Sequence, residues 1–165
     1  MIARITLLAA AAVAAPLVAI AQPAPRPTGP IQPMEYAAKF VCGRSHGDNT
    51  PIAAGTYYTA INVHNPGRAV RISDKVTLAA IGRPGEMTDL RTRMSLRYDE
   101  AIEFDCDWIR ARLRDAGVQT ADIFTGFLVL QARTPLDVVA VYTAAGRDNG
   151  VSTMHTERVP VRNVM

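Results

Sequence analysis

The stretch IFTGFLVLQARTPLDVVAVYTA, residues 123–144, contains the two most apolar segments that follow the N-terminal region of the chain. Segments 123–132 and 136–144 are nearly continuous runs of apolar side chains, a pattern typical of β-strands that are covered on both faces. Arg133-Thr134-Pro135 predicts a short turn between them, so that the two strands form a late apolar hairpin. The stretch therefore predicts a β-rich fold.

Six further segments alternate apolar and polar residues and predict shorter strands, with turns such as Asn65-Pro66-Gly67 between them. They span residues 36–42, 56–64, 69–80, 90–96, 101–106 and 151–159. Residues 82–89 are predicted to form a loop. Asp74 falls in the inward phase of its strand, where it would be buried, so Ser73-Asp74 predicts a bulge or a bend.

Residues 107–116 predict one helix, with Trp108, Ile109 and Leu113 as its apolar stripe. Three residues can bound it, namely Asp105 or Asp107 as the N-cap and Gly117 at the C-terminus. One short helix and about seven to eight strands at this spacing predict a mostly β fold. We expect a single antiparallel β-sandwich or a partly closed barrel.

The N-terminal region predicts export. In residues 1–21, Arg4 precedes an apolar run, and Ala19-Ile20-Ala21 provides a cleavage site with small residues, as in a secretory signal peptide. The run is shorter than the about 20 apolar residues that span a membrane, so no transmembrane segment is expected in the mature chain. Residues 22–33 contain five prolines and predict a disordered spacer, which leaves residues 34–165 as one β-sandwich domain.

Cys42 and Cys106 are the only cysteines, and each ends a predicted strand in phase with inward apolar residues. In an oxidising compartment such a pair is expected to form a disulfide. A reactive thiol needs partial exposure and a depressed pKa, which the inward phase does not favour. The spacing also differs from the Cys-x-x-Cys of thioredoxin-like redox centres.

The three histidines, His46, His64 and His155, do not form a spacing motif. His64 and His155 lie on predicted strands and could meet across a sheet, which makes them weak candidates for a metal site. Zinc needs three or four converging ligands, so a histidine satisfied within a strand is the simpler interpretation. No metal and no cofactor is expected.

Charged residues surround the predicted helix. An acidic run could in principle bind calcium, but it lacks the spacing and glycine of an EF-hand loop. It is interpreted instead as an outward strand face and a helix N-terminus, and comprises Asp99, Glu100, Glu103, Asp105 and Asp107. Arg110 and Arg114 lie one turn apart on the helix, with Arg112 on another side. A solvated face is expected for these arginines.

Composition excludes several classes of function. The net charge of +3, carried by 16 arginines and two lysines against 15 acidic residues, is too small to indicate a nucleic-acid or anionic-membrane partner. None of the four serines stands in a Gly-x-Ser-x-Gly motif, and no glycine-rich phosphate loop is present. No catalytic residue is therefore assigned.

Three segments resemble an uncharacterised group of small exported bacterial proteins: YTAINVHNP (58–66), DEAIEFDC (99–106) and GFLVLQARTPLDVVAVYTA (126–144). This resemblance covers most of the mature chain and implies no activity. More distantly, the order of strand, Asn-Pro turn, strand and late apolar hairpin is similar to the sensory-rhodopsin-transducer family. That resemblance implies a small β-sandwich that self-associates and binds partners, although the export signal and the cysteine pair argue against a cytoplasmic photoreceptor role.

The leading hypothesis is a non-catalytic protein of the bacterial envelope, periplasmic or extracellular, that binds an unknown protein partner or self-associates through strand edges or outward apolar positions. One alternative is a small metal-dependent enzyme or metal-binding protein that uses His64 and His155 with a carboxylate. Another is a carrier of a small ligand with a pocket between the sheets.

Overall fold

A computed structural model describes residues 32–48, 51–146 and 151–163 of the chain. The described part is mostly β, with ten strands and one short helix. The strands are β1 (Met34–Ser45), β2 (Gly55–His64), β3 (Val70–Ala80), β4 (Arg83–Met87), β5 (Arg91–Leu96), β6 (Ala101–Asp105), β7 (Ile123–Ala132), β8 (Asp137–Ala145), β9 (Val151–Arg158) and β10 (Val161–Asn163), and the helix is α1 (Cys106–Arg114). No helix within these residues is long and apolar enough to cross a bilayer. The predicted signal, residues 1–21, and the spacer up to residue 31 lie outside the described residues.

The strands form two antiparallel layers that are joined at one corner. The first sheet has β7 between β1 and β3, with β4 and β5 beyond β3 and β10 on the other edge of β1. In the second sheet β8 lies between β2 and β9, and β6 pairs with β2. The end of β1 pairs with the start of β2, and β4 and β9 stay at opposite ends of the strand order. The fold is thus an antiparallel β-sandwich that is not closed into a barrel, which confirms the predicted fold class.

The two apolar strands of residues 123–144 do not form the predicted hairpin. Both edges of β7 are already paired, with β1 and β3, whereas β8 pairs with β2 and β9. The connection 133–135 therefore crosses from one sheet to the other. The backbone N–H of Leu136 donates to the Tyr36 hydroxyl oxygen at 2.8 Å and fixes this crossing to β1.

Cross-strand registers place the apolar rows between the sheets. Ala38, Leu128 and Val76 are register partners in the first sheet, and Ile61 pairs with Ala140 in the second. These five side chains are buried. Burial of apolar surface, worth roughly 25 cal/mol per Å², is therefore the main stabilising term of the sandwich.

The helix closes one end of the sandwich. Asp105 is its N-cap and accepts the Trp108 N–H at 2.8 Å, as one of the two predicted caps. The helix ends at Arg114 with Asp115 as its C-cap, before the predicted Gly117, which follows at φ +79° in the left-handed conformation that favours glycine. Ile109 and Leu113 are buried against the core.

Three local predictions need correction. β4 lies in the predicted loop 82–89, where it pairs with the end of β3, and β10 forms a short strand that was not expected. The bulge or bend predicted at Ser73-Asp74 lies one residue earlier, because the register of β3 with β5 shifts between Ile72 and Ser73. Asp74 stays in the inward phase and is buried. A partner from the helix, described below, makes this burial possible.

Candidate binding surface

The outward rows of the first sheet combine lysines with apolar side chains. Lys39 is the register partner of Phe127, and Val129 in the next outward row pairs with Lys75 and with Ala37. The Lys39 Nζ lies 5.4 Å from the centroid of the Phe127 ring, a cation–π geometry. We call Lys39, Lys75, Phe127 and Val129 the basic face, although Val129 is buried. It carries both lysines of the chain.

The row next to the basic face is a hydrogen-bonded polar ladder. The Gln131 amide donates to Glu35 at 2.8 Å, and the Arg162 Nε donates to the same carboxylate at 2.8 Å. Burial opposes the charge of Glu35, but the Gln131 hydrogen bond and Arg162 together lower its pKa. Lys75 also lowers the pKa of Glu35 electrostatically, so the polar ladder and the basic face interact through this carboxylate.

The outward side of the second sheet has the opposite charge around Tyr58. The Tyr58 hydroxyl donates to Asp105 at 2.8 Å, and Asp107 and Glu103 also act on it electrostatically. Partial burial and the Asp105 hydrogen bond, together with these charges, raise the pKa of Tyr58 to about 12. We call Tyr58, Glu103, Asp105 and Asp107 the acidic patch.

A groove runs along the β8–β9 edge. Tyr142 and His155 are register partners whose rings stack with centroids 6.1 Å apart. Lys39, Tyr58 and Glu157 also line this cavity of about 350 Å³, so the basic face borders an acidic-patch residue and a carboxylate there. Burial and the Glu157 carboxylate raise the pKa of Tyr142 to about 12.

His64 lies in a different cluster, at the far end of β2. Its Nε2 is 2.8 Å from Asp99 Oδ1, and its Nδ1 is 3.4 Å from Asp137 Oδ2. Hydrogen bonding to Asp99, then to Asp137, raises the pKa of His64. Arg158 donates to the other Asp137 oxygen at 2.9 Å. Asp99 has a φ of +61°, uncommon for a residue with a side chain.

The two candidate metal ligands do not meet. His64 pairs with Asp137, whereas His155 pairs with Tyr142, five residues further along β8 and therefore roughly 17 Å away at the strand rise. Within residues 32–48, 51–146 and 151–163, no group of three or more His, Cys, Asp or Glu is arranged to hold a metal ion. His46 is exposed beside the end of β1.

The predicted disulfide between Cys42 and Cys106 is confirmed, with a Cα–Cα distance of 5.6 Å. It ties β1 of the first sheet to the first residue of α1. Both residues are buried, as their inward phase predicted. The sequence separation of 64 residues gives a stabilisation of about 4 kcal/mol on the chain-entropy model.

Asp74 and Arg112 form a buried ion pair that sequence reasoning missed. The Arg112 Nε donates to Asp74 Oδ2 at 2.9 Å, and the side chains are 2% and 0% exposed. Arg112 also donates to the Asp89 carbonyl oxygen at 2.7 Å. The inward phase of Asp74 was the available signal, because a buried carboxylate needs a charged partner.

The other charged side chains near the helix bond within the chain. Arg110 lies 4.5 Å over the Phe124 ring and donates to Thr120 at 2.7 Å, so it is not the solvated arginine that was expected. Arg114 is exposed, as predicted. Glu100 accepts the Arg97 N–H at 2.7 Å, a local turn contact.

Comparison with known proteins gives little. No family model matches the chain, and no curated protein matches it. Among solved structures, the chain is similar to one described as the crystal structure of Thermotoga maritima 1070, with a TM-score of 0.43 and 9% identity over 78% of this chain and 92% of that chain. The resemblance to exported bacterial proteins and to the sensory-rhodopsin-transducer family stays a prediction.

Proposed function

We propose that the chain is an exported, non-catalytic binding module whose basic face docks on an acidic protein surface, the acidic patch of a second copy being its partner. The observation that carries the proposal is that charges of opposite sign gather on two surfaces, which adjoin at the β8–β9 groove that both Lys39 and Tyr58 line. Lys39 and Lys75 project from the outside of one sheet, and Glu103, Asp105 and Asp107 cluster on the opposite sheet and the start of α1.

The basic face has the composition of a contact surface. Among the described residues, neither Lys39 nor Lys75 forms an ion pair. Phe127 is 40% exposed between them, and Met87 beside it is also exposed. Aromatic area bordered by charges is typical of protein interfaces, where complementary charge selects the partner.

Charge separation favours one relative orientation of two copies. Two basic faces repel each other, as do two acidic patches, whereas a basic face and an acidic patch attract. The resulting contact is head-to-tail, a type that closes into a ring or continues as an open chain. Tyr58, 40% exposed in the acidic patch, would contribute aromatic area to it.

Export is part of the same proposal. The Cys42–Cys106 disulfide supports it, because disulfides persist in oxidising compartments such as the bacterial periplasm or the extracellular space. The predicted signal peptide and the proline-rich spacer support it from the sequence.

Charge reversal tests the docking. The variant Lys39→Glu/Lys75→Glu reverses the basic face, and Glu103→Lys/Asp107→Lys reverses part of the acidic patch. We expect wild-type association in light scattering to weaken about tenfold or more in each variant, and also when NaCl rises from about 0.05 M to about 0.5 M. Mixing the two variants is expected to restore association, since each then offers the charge that the other lacks.

The matched control is Arg68→Glu/Arg83→Glu, which changes the net charge as much as the lysine reversals but at exposed arginines outside the basic face and the acidic patch. We expect it to associate like the wild type. Equal weakening in this control, or a mixture that fails to associate, would contradict the second copy as partner. If the wild type stays monomeric at all protein concentrations but captures an acidic protein through Lys39 and Lys75, the binding role stands with a different partner.

A further inference from the structure

A polar cleft lies where the chain crosses from β7 to β8. Its volume is about 580 Å³, and its polar side chains are those of Arg71, Ser73, Thr92, Gln131, Arg133 and Thr134. The Gln131 amide is already engaged by the Glu35 carboxylate. The cleft is on the outside of the first sheet, since Ser73 pairs with Gln131 in an outward row. Its side chains are distinct from the four residues of the basic face.

The buried hydroxyl of Thr134 is the first indication of a ligand. Its Oγ1 is buried and has no hydrogen-bond partner in the described part of the chain. Buried polar atoms are normally hydrogen-bonded to protein or to water, so this hydroxyl has a donor to offer. Thr134 lines the cleft but its Oγ1 is covered, so an acceptor bound there receives its proton once the side chain turns toward the cleft.

Two arginines without counter-ions are the second indication. Neither Arg71 nor Arg133 makes an ion pair with a described residue, and both are exposed at the cleft. A guanidinium group binds the oxygens of phosphate or sulfate through paired hydrogen bonds. Ser73 and Thr92, whose hydroxyl oxygens lie 2.5 Å apart, add further polar groups to the wall.

The size and the remaining wall indicate more than a free ion. A cavity of about 580 Å³ is in the range of sites for small organic molecules. Pro33 and Ala69 supply a small apolar side to the cleft, whereas Val70 and Ala132 border it but are buried in the core. An ester has both an anionic group for the arginines and carbon atoms for this apolar side.

We propose that this cleft binds a small ester of a tetrahedral oxyanion, with the phosphate or sulfate group between Arg71 and Arg133 and a hydrogen bond from Thr134. The site is independent of the proposed docking function, because Lys39 and Lys75 take no part in it. The ester can be a soluble metabolite or the headgroup of a lipid, which share this chemistry.

Calorimetric titration with glycerol phosphate, inorganic phosphate and uncharged glycerol tests the site. We expect the wild type to bind glycerol phosphate more tightly than inorganic phosphate, and not to bind glycerol. Arg71→Gln and Arg133→Gln are each expected to weaken glycerol phosphate binding about tenfold or more, and Thr134→Val by about three- to tenfold. Thr134→Ser, which keeps the hydroxyl, is expected to bind like the wild type.

The matched control is Arg83→Gln. Arg83 is exposed and pairs with Ala80 at the other end of β3, roughly 30 Å from Arg71 at the strand rise. We expect this variant to bind glycerol phosphate unchanged. An equal loss in Arg83→Gln, or a wild type that binds neither phosphate probe nor the vesicles described next, would overturn the proposal.

Sedimentation with vesicles separates the two sources of the ester. Vesicles of phosphatidylglycerol that retain the wild type, but not Arg71→Gln/Arg133→Gln, would assign a lipid headgroup. Binding to soluble glycerol phosphate without retention on these vesicles would assign a soluble ester. Either result supports the site, while vesicle binding that Arg71→Gln/Arg133→Gln leaves unchanged and that occurs without soluble binding would contradict it.

Discussion

Two carboxylate clusters of this domain have similar chemistry and opposite environments. Asp74 and Arg112 lie between the sheet and the helix, with side chains 0% and 2% exposed. Asp99 and Asp137, on either side of His64, are 70% and 44% exposed at the surface. The buried pair has lost its hydration and must be compensated within the protein, whereas water and ions screen the exposed cluster. Burial therefore decides that the Asp74 cluster has the larger effect on the free energy of unfolding, and that the His64 cluster responds to pH.

The buried pair is also incompletely satisfied. Asp74 Oδ1 and Arg112 Nη1 have no hydrogen-bond partner in the described part of the chain, although Arg112 bonds to both Asp74 and the Asp89 carbonyl. Such a pair positions the helix on β3 more than it adds net stability, because desolvation offsets much of the attraction. Removing one member of the pair is therefore expected to destabilise the fold more than replacing both members by apolar side chains.

The largest expected effect follows from breaking the buried pair. Arg112→Met keeps the length and apolar stem of the side chain but leaves Asp74 buried without a counter-charge. We expect the free energy of unfolding to fall by about 3–5 kcal/mol. Urea denaturation followed by circular dichroism measures the change.

Two companion variants define this result. Arg114→Met removes an exposed arginine two residues away and is expected to change stability by less than about 0.5 kcal/mol. Asp74→Leu/Arg112→Met replaces the pair by apolar side chains and is expected to recover much of the loss. A double variant less stable than Arg112→Met would mean that the pair itself, not the uncompensated charge, carries the stability.

The same pair marks the limit of sequence reasoning about the fold. Alternation in β3 correctly placed Asp74 inward, and helix periodicity correctly found Ile109 and Leu113 as the buried stripe. The pairing of Asp74 with Arg112 spans 38 residues and depends on where the helix packs, which local periodicity does not contain. The sequence predicted that β7 and β8 pair as a hairpin, whereas they belong to different sheets. This prediction failed for the same reason, because non-local contacts decide which strands pair.

An intermediate effect is expected at Asp105, which is partly buried and has specific hydrogen bonds. The Trp108 N–H and the Tyr58 hydroxyl hold the pKa of Asp105 below its ordinary value. Asp105→Ala removes the helix N-cap, and we expect a loss of about 1 kcal/mol in urea denaturation. Because the folded pKa is lowered, this contribution is present above the unfolded pKa and is lost as the pH falls through the folded one.

The variant Asp105→Asn separates the helix-capping hydrogen bond of Asp105 from the effect of its negative charge. The amide oxygen can still accept the Trp108 N–H, so we expect most of the stability to remain. The pKa of Tyr58, about 12 in the wild type, is expected to fall in both variants because the carboxylate is gone. An Asn variant as unstable as the Ala variant would show that the charge, not the cap, is what stabilises the helix.

The candidate surfaces were less predictable than the fold. Outward phase identified Glu103 and Asp105 as solvent-facing, but their grouping with Asp107 around Tyr58 depends on the pairing of β2 with β6. Lys39 and Lys75 stand on different strands, and only the insertion of β7 between β1 and β3 places them on one face. The same holds for His64 and His155, whose separation is set by the register of β8.

The smallest effect on stability, and the clearest pH response, is expected at His64. Its pKa is raised by Asp99 and then Asp137, so the protonated form is favoured in the folded protein. The resulting stabilisation is complete below the unfolded pKa of about 6.5 and is lost as the pH rises through the higher folded value. We expect His64→Gln to remove this slope from stability measured between about pH 6 and pH 8.

Nuclear magnetic resonance of the His64 ring gives the direct measure. We expect its pKa to lie above 6.5, to fall more in Asp99→Asn than in Asp137→Asn, and to fall at high salt, because exposed charges are screened. Asparagine suits the positive φ of residue 99, so Asp99→Asn changes the charge with little backbone strain. A pKa at or below 6.5 in the wild type would contradict the contrast between the clusters, since His64 would then gain no proton affinity from the exposed carboxylates on folding.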